Sequence, residues 1–149
     1  MASTVTASTA TITISQNLTL NGVTYGNAIS KQFTTQGEVI QRIMSISTSF
    51  PEILITSTVD GRGQVVAADW CYFRITNLDD TNFVTLRLTN TATDSQFFKL
   101  EAGESFFLMS PDIDIDESGS AFVAFADIDE IAVDADTAAC DVEFIMITA

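Results

Sequence analysis

A chain of 149 residues that holds no histidine, with 20 Asp and Glu against 6 Lys and Arg and a formal charge of -14, excludes several functions at once. Phosphate contacts need clustered basic side chains and so does a polybasic hold on an anionic membrane, so neither nucleic acid nor membrane is an expected partner. Without histidine there is no His-paired serine or cysteine nucleophile, and no enzymatic activity is expected.

A chain of this length buries roughly 68–70% of its unfolded surface, enough for one domain with its own core. The hydrophobic share is 46% and the charged share 17%, the latter below the roughly 25% of average soluble proteins. The polar surface must therefore come largely from Ser, Thr and Asn. Together with Val, Ile and Phe these residues favour strands and turns, so the expected class is all-β. The expected organisation is an extended N-terminal arm over 1–16, then a single antiparallel β-sandwich or jelly-roll domain over 17–149.

The opening MASTVTASTATITIS lacks a basic n-region and a continuous apolar h-region, so it does not read as a secretory signal. No stretch approaches the roughly 20 apolar residues of a membrane span, and a product made in a cytoplasm is expected. TATITIS, from Thr9 to Ser15, alternates apolar and polar residues as a strand does. NLTLNGVTY repeats the pattern around Asn21-Gly22, and Asn-Gly is the strongest short hairpin signal. EVIQRIMSIS fits two periods: Val39, Ile40, Ile43 and Met44 share a helical face, while Ile40, Met44 and Ile46 share one side of a strand. The strand is preferred. PEILITSTVDGRG reads as a strand ending in a turn at Asp60-Gly61-Arg62-Gly63, whose glycines lack the spacing and the lysine of a phosphate-binding loop.

WCYFRIT and NFVTLRL read as the two strands of a hairpin, joined by the turn-rich corner NLDDT. Simple alternation sends Cys71, Phe73 and Ile75 to the core and leaves Trp70, Tyr72 and Arg74 on the opposite face. Those residue types suit a contact surface; packing under a second sheet or the N-terminal arm is the other use of that face. Cys71 and Cys140 sit inside apolar runs and read as buried thiols, and a disulfide would require their strands to be neighbours. SQFFKLEAGESFFLMSP splits at Glu101-Ala102-Gly103-Glu104 into two Phe-rich strands closed by Pro111. The final third reads as an acidic loop, an apolar strand, another acidic stretch and a last strand near Val142 to Thr148. About nine or ten short strands at such spacing suit a sandwich.

The run Asp112-Ile113-Asp114-Ile115-Asp116-Glu117 offers Asp112, Asp114 and Asp116 as a weak candidate for a divalent cation. Against an EF-hand loop it fails at the sixth position, Glu117 in place of glycine, and at the twelfth, Val123 in place of glutamate. On a strand, carboxylates two apart are about 6.5–7 Å from one another and need another segment to share an ion. A solvated acidic edge that discourages pairing with other chains is preferred, and Asp127, Asp129, Glu130, Asp134, Asp136 and Asp141 fit the same use. Among so many acids no pair is marked out for glycosidase chemistry, and no cofactor is expected.

YFRITNLDDTNFVTLRL, followed by FFKLEAGESFFL and a closing DVEFIMITA, resembles small virion structural proteins of tailed bacteriophages. The matching positions are Asn77, Leu78, Asp79, Thr81, Asn82, Phe83 and Val84 of a corner, then Leu100, Gly103 and Glu104 of a turn. The resemblance covers the middle third of the chain well and the ends only in general pattern. It implies a small β-sandwich that decorates or cements a capsid, usually as a homo-oligomer such as a trimer, on the virion surface and against the major capsid protein. On that reading the arm, with Thr9, Thr11 and Thr13, adds as a strand to an exposed sheet edge, and Trp70, Tyr72 and Arg74 supply a further contact. The acidic final third and Cys71 depart from the pattern. A tail, baseplate or head–tail subunit, and a carbohydrate-binding module with Trp70 and Tyr72 as stacking platform, are the competing expectations.

Overall fold

At the Asn21-Gly22 turn both residues take positive φ, 50° and 78°, the geometry whose twist matches that of the strands it joins. The computed structural model describes residues 8–35, 38–49, 51–56, 65–67, 70–110, 113–116 and 125–148. From that turn β1 (Ser8–Leu20) and β2 (Val23–Thr35) run back antiparallel, paired from Leu20 opposite Val23 to Ser8 opposite Thr35. Residues 8–16, read from the sequence as a free arm, are thus one strand of this ribbon and lie opposite residues 27–35. The alternation that marked the arm continues through β2, so once the turn sets the register the pairing carries to the far end. Gly26 is required within it, because a Cβ there would meet the Gln16 carbonyl oxygen at 2.3 Å.

The other described residues are all-β, with mostly antiparallel sheets packed on one another as a β-sandwich. One sheet runs β5 (Val65–Val66), β4 (Glu52–Thr56), β11 (Ala126–Ala135), β7 (Val84–Asn90), β8 (Ser95–Leu100), with β10 (Asp114–Ile115) also against β11. The other runs β3 (Val39–Ile46), β12 (Cys140–Thr148), β6 (Trp70–Asn77), β9 (Ser105–Leu108). Pairing is antiparallel except between β4 and β5. Phe73, Ile75, Phe144 and Met146 of the second sheet meet Leu86, Leu88, Ile131 and Val133 of the first in one buried cluster. EVIQRIMSIS is the strand β3, with Ile40, Met44 and Ile46 turned inward. The turn expected at residues 60–63 and the closing Pro111 lie outside the described residues.

Three expectations are corrected. First, β6 and β7 are not a hairpin, for they belong to different sheets, as do β8 and β9. The NLDDT corner and the Glu101–Glu104 turn both carry the chain from one layer to the other. Second, the acidic stretch before the last strand is itself a strand, β11, at the centre of its sheet between β4 and β7. Its carboxylates therefore do not guard an edge, and Ile128, Ile131, Val133 and Ala135 are buried. A register shift between Ile128 and Glu130 interrupts its alternation, which is why a strict period of two misses it.

The third correction concerns Trp70. In β6, Tyr72 lies opposite Ile147 and Trp70 opposite Thr148, so Cys71 is an extra residue without a counterpart on β12. Such a bulge reverses the facing of every residue beyond it. Phe73 and Ile75 point into the sandwich as expected and Tyr72 and Arg74 away from it, but Trp70 turns inward and is 1% exposed.

Candidate functional site

Residues directly opposite in a ribbon share a face, so pairing about Asn21-Gly22 sorts the side chains of β1 and β2 into two sets. One face carries Thr11, Thr13, Ser15, Thr19, Thr24 and Ser30, with Thr13 and Ser30 joined by a hydroxyl hydrogen bond of 2.9 Å. The other carries Ala10 and Phe33, Ile12 and Lys31, Ile14 and Ile29, Leu18 and Tyr25, Leu20 and Val23, with the polar pair Gln16 and Asn27 between the third and fourth of these. The ribbon is amphipathic, and Lys31 is its one charged residue.

The base of the apolar face is seated. Phe33, Ala10 and Ile12 pack on Cys71, Tyr72 and Ile147, on the side of the β3–β12–β6–β9 sheet that faces away from the main core. Cys71 reaches the far side of its sheet because the bulge puts it there beside Tyr72. Lys31 Nζ donates to the Met109 carbonyl and lies 5.1 Å from the Phe33 ring centroid, which fixes the ribbon base to the body at a second point. Burial raises the Cys71 thiol pKa against the opposing pull of Lys31, and burial likewise raises that of Tyr72 against Arg74.

Beyond Ile14 the apolar face has no cover. Leu18, Leu20, Val23, Tyr25 and Ile29 are 52–59% exposed, far from what such side chains reach in a core. The sheet face that receives the ribbon base continues in the same character: Val39 is 68% exposed, Ile43 67% and Phe107 45%. Its charges are compensated locally, since Arg74 pairs with Glu143, which also accepts a hydrogen bond of 2.8 Å from Gln41.

The sequence candidates are distributed as follows. Thr9, Thr11 and Thr13 are exposed on β1, whose outer edge pairs with no other described strand. Tyr72 and Arg74 share the outer sheet face, Tyr72 covered by the ribbon base and only 8% exposed, whereas Trp70 belongs to the main core. They form no common contact surface. Asp112 lies outside the described residues; Asp114 is exposed opposite Asp127, and Asp116 is partly buried. Among the described residues no three His, Cys, Asp or Glu side chains are grouped to hold a metal. Cys71 and Cys140 are free and buried. Their strands are indeed neighbours, but the antiparallel register places them near opposite ends, about 20 Å apart along the pair.

The corner that carried the family resemblance is brought together as one hydrogen-bonded unit. Asn77 is fully buried, and its Nδ2 donates to the carbonyls of Asn82 at 2.9 Å and Leu100 at 3.1 Å, while its Oδ1 accepts from the Asp79 amide at 3.0 Å. Asp79 Oδ1 in turn accepts from the Asn82 and Thr81 amides at 2.7 and 2.8 Å, and these bonds hold its carboxyl below the usual aspartate range. The unit is a structural clamp between the two sheet-crossing connections. Elsewhere, Phe97, Arg87 and Asp134 help line an open cleft of about 330 Å³ on the outer face of the other sheet, where Arg87 is already paired with Glu130.

The ribbon residues Leu18, Leu20, Val23, Tyr25 and Ile29 were not singled out from the sequence. The signal was present: with the turn at 21–22, opposite residues sum to a constant, which puts all five on one face. In comparisons with known proteins, the chain matches no family model, no curated protein and no solved structure.

Proposed function

We propose that this protein is a non-enzymatic structural component of a phage virion, a capsid decoration protein that assembles on the shell surface, after synthesis in the host cytoplasm, and bridges subunits of the major capsid protein. The observation that supports an assembly role is the ribbon, a long element with a single charged residue and bare apolar side chains on an otherwise acidic body. The phage assignment rests on the resemblance of the Asn77–Val84 corner and the turn at Gly103. The outer edge of β1, open along Thr9, Thr11 and Thr13, offers backbone groups for strand addition to a capsid subunit. Several weak contacts repeated over a symmetric shell would supply the avidity.

A tail or head–tail subunit of the same architecture remains the second reading. The glycan-binding reading is disfavoured by the burial of Trp70 and Tyr72, which leaves it without its stacking platform. Purified protein titrated onto intact, undecorated capsid shells should saturate at a copy number set by the shell's symmetry axes. No saturable binding to shells would overturn the decoration role.

A further inference from the structure

We infer that the distal half of the β1–β2 ribbon is a self-assembly element, whose apolar face lies on the outer face of the β3–β12–β6–β9 sheet of a second copy of this chain. This deepens the assembly role proposed above and rests on that reading only for the homo-oligomeric state.

An isolated two-stranded ribbon is marginal in water and needs its apolar face covered. Here the face runs from Phe33 at the base to Leu20 and Val23 at the tip, broken by the polar pair Gln16 and Asn27, and only the base half is covered. What covers the base indicates what suits the rest, because that half already packs on the β6–β12 surface of its own chain. The same surface runs on to Val39, Ile43 and Phe107, exposed and uncovered in the single chain.

The ribbon cannot satisfy this surface itself. Its base is seated on Tyr72 and Ile147, beside Val39 on the neighbouring strand, while the tip lies about 20 Å further along the ribbon from Ile14 with its apolar side chains exposed. A second molecule can bring its own tip there.

Charge points to the same occupant. Residues 8–35 carry +1 from Lys31, so the remainder of the chain carries -14 minus 1, or -15. Two bodies would repel, but a ribbon carrying only +1 can cross to the other body, and it meets a patch where Arg74 and Glu143 neutralise one another.

Size sets the form of the assembly. A ribbon face of roughly 20 by 10 Å is well short of the ~800 Å² per partner of a standard stable interface. A closed arrangement, in which each copy gives one ribbon and receives another, at least doubles the contact and leaves no ribbon face uncovered.

The test is the mass of the purified full-length chain by light scattering, for wild type and for Leu18→Asp/Tyr25→Asp. Both positions are exposed and outside the cluster that seats the ribbon base, and circular dichroism checks that the fold is kept. Wild type should be a multiple of 16.1 kDa, and the double variant should need at least 100-fold higher concentration to associate. Ile43→Asp should weaken association from the receiving side. Mixing Tyr25→Cys with a size-tagged Ile43→Cys should give a disulfide-linked pair containing one of each, since the native cysteines are buried. A monomeric wild type, or an oligomer unchanged by Leu18→Asp/Tyr25→Asp, would overturn the inference.

Shell binding separates this from the functional reading. A wild type that is monomeric alone and binds shells through Leu18 and Tyr25 would assign the ribbon to the capsid protein, overturning the second-copy occupant while the decoration role stands. An oligomer that depends on these residues and ignores shells would do the reverse.

Discussion

Asn77 shows how much one buried amide can organise. It sits where β6 leaves its sheet, and its side chain ties the first connection, at Asn82, to the second, at Leu100. The backbone repeats the tie, with Asn77 N–H donating to Glu104 and Gly103 N–H donating to Asn77. Replacing Asn77 with alanine leaves two carbonyls and the Asp79 amide without their partner, at about 1–3 kcal/mol for a buried group left unsatisfied. Asn77→Ala should therefore lower the unfolding free energy by about 2–4 kcal/mol, read from the urea midpoint at unchanged m-value. The cysteines carry a second prediction at this scale. Burial raises both thiols, and Asp79, Asp136 and Asp141 raise Cys140 further, while Lys31 partly offsets the rise at Cys71. Less thiolate and no access mean low reactivity. Neither should react with a thiol reagent in the native protein at neutral pH, and two should react on denaturation; fast native labelling of Cys71 would show that the ribbon base does not cover it.

At the scale of the element, two bulges decide what faces where. The extra Cys71 in β6 turns Trp70 into the core, and the shift near Glu130 in β11 lets an acidic stretch run through the middle of a sheet with its isoleucines still inward. Burial of Trp70 among Phe73, Val65 and their neighbours makes it a packing residue. Trp70→Ala should cost about 3–5 kcal/mol, as deletion of a large buried aromatic does. Since it is the only tryptophan, its emission should be blue-shifted and poorly quenched by acrylamide in the folded protein. Ready quenching would mean that the bulge does not turn the ring inward.

For the whole molecule, the distribution of charge matters more than its total. The body is strongly acidic while the ribbon is nearly neutral, so long-range repulsion opposes any encounter that short-range apolar contact would stabilise. Raising salt from 0.1 to 1 M shortens the screening length from about 10 Å to about 3 Å. Self-association measured by sedimentation should therefore strengthen with salt, and also as pH falls toward the sequence pI of 4.1. Weakening by salt would mean that ion pairs, rather than apolar burial, hold the copies together.

The all-β class, the Asn-Gly turn, β3 and the burial of both thiols were legible in the sequence, because alternation, turn chemistry and apolar context act over a few neighbouring residues. The partnership of Ser8–Leu20 with Val23–Thr35 was legible only in part, since the turn was clear but its reach was not. Three things were decided by the tertiary structure. The sheet to which each strand belongs depends on long-range pairing, so the corner at Asn77 looked like a hairpin and is a crossing between layers. The facing of Trp70 depends on a bulge opposite β12, and no local pattern around residue 70 records it. The bare apolar half of the ribbon also follows only from the fold, which fixes how far the body extends beneath it and so which of its side chains are left in water.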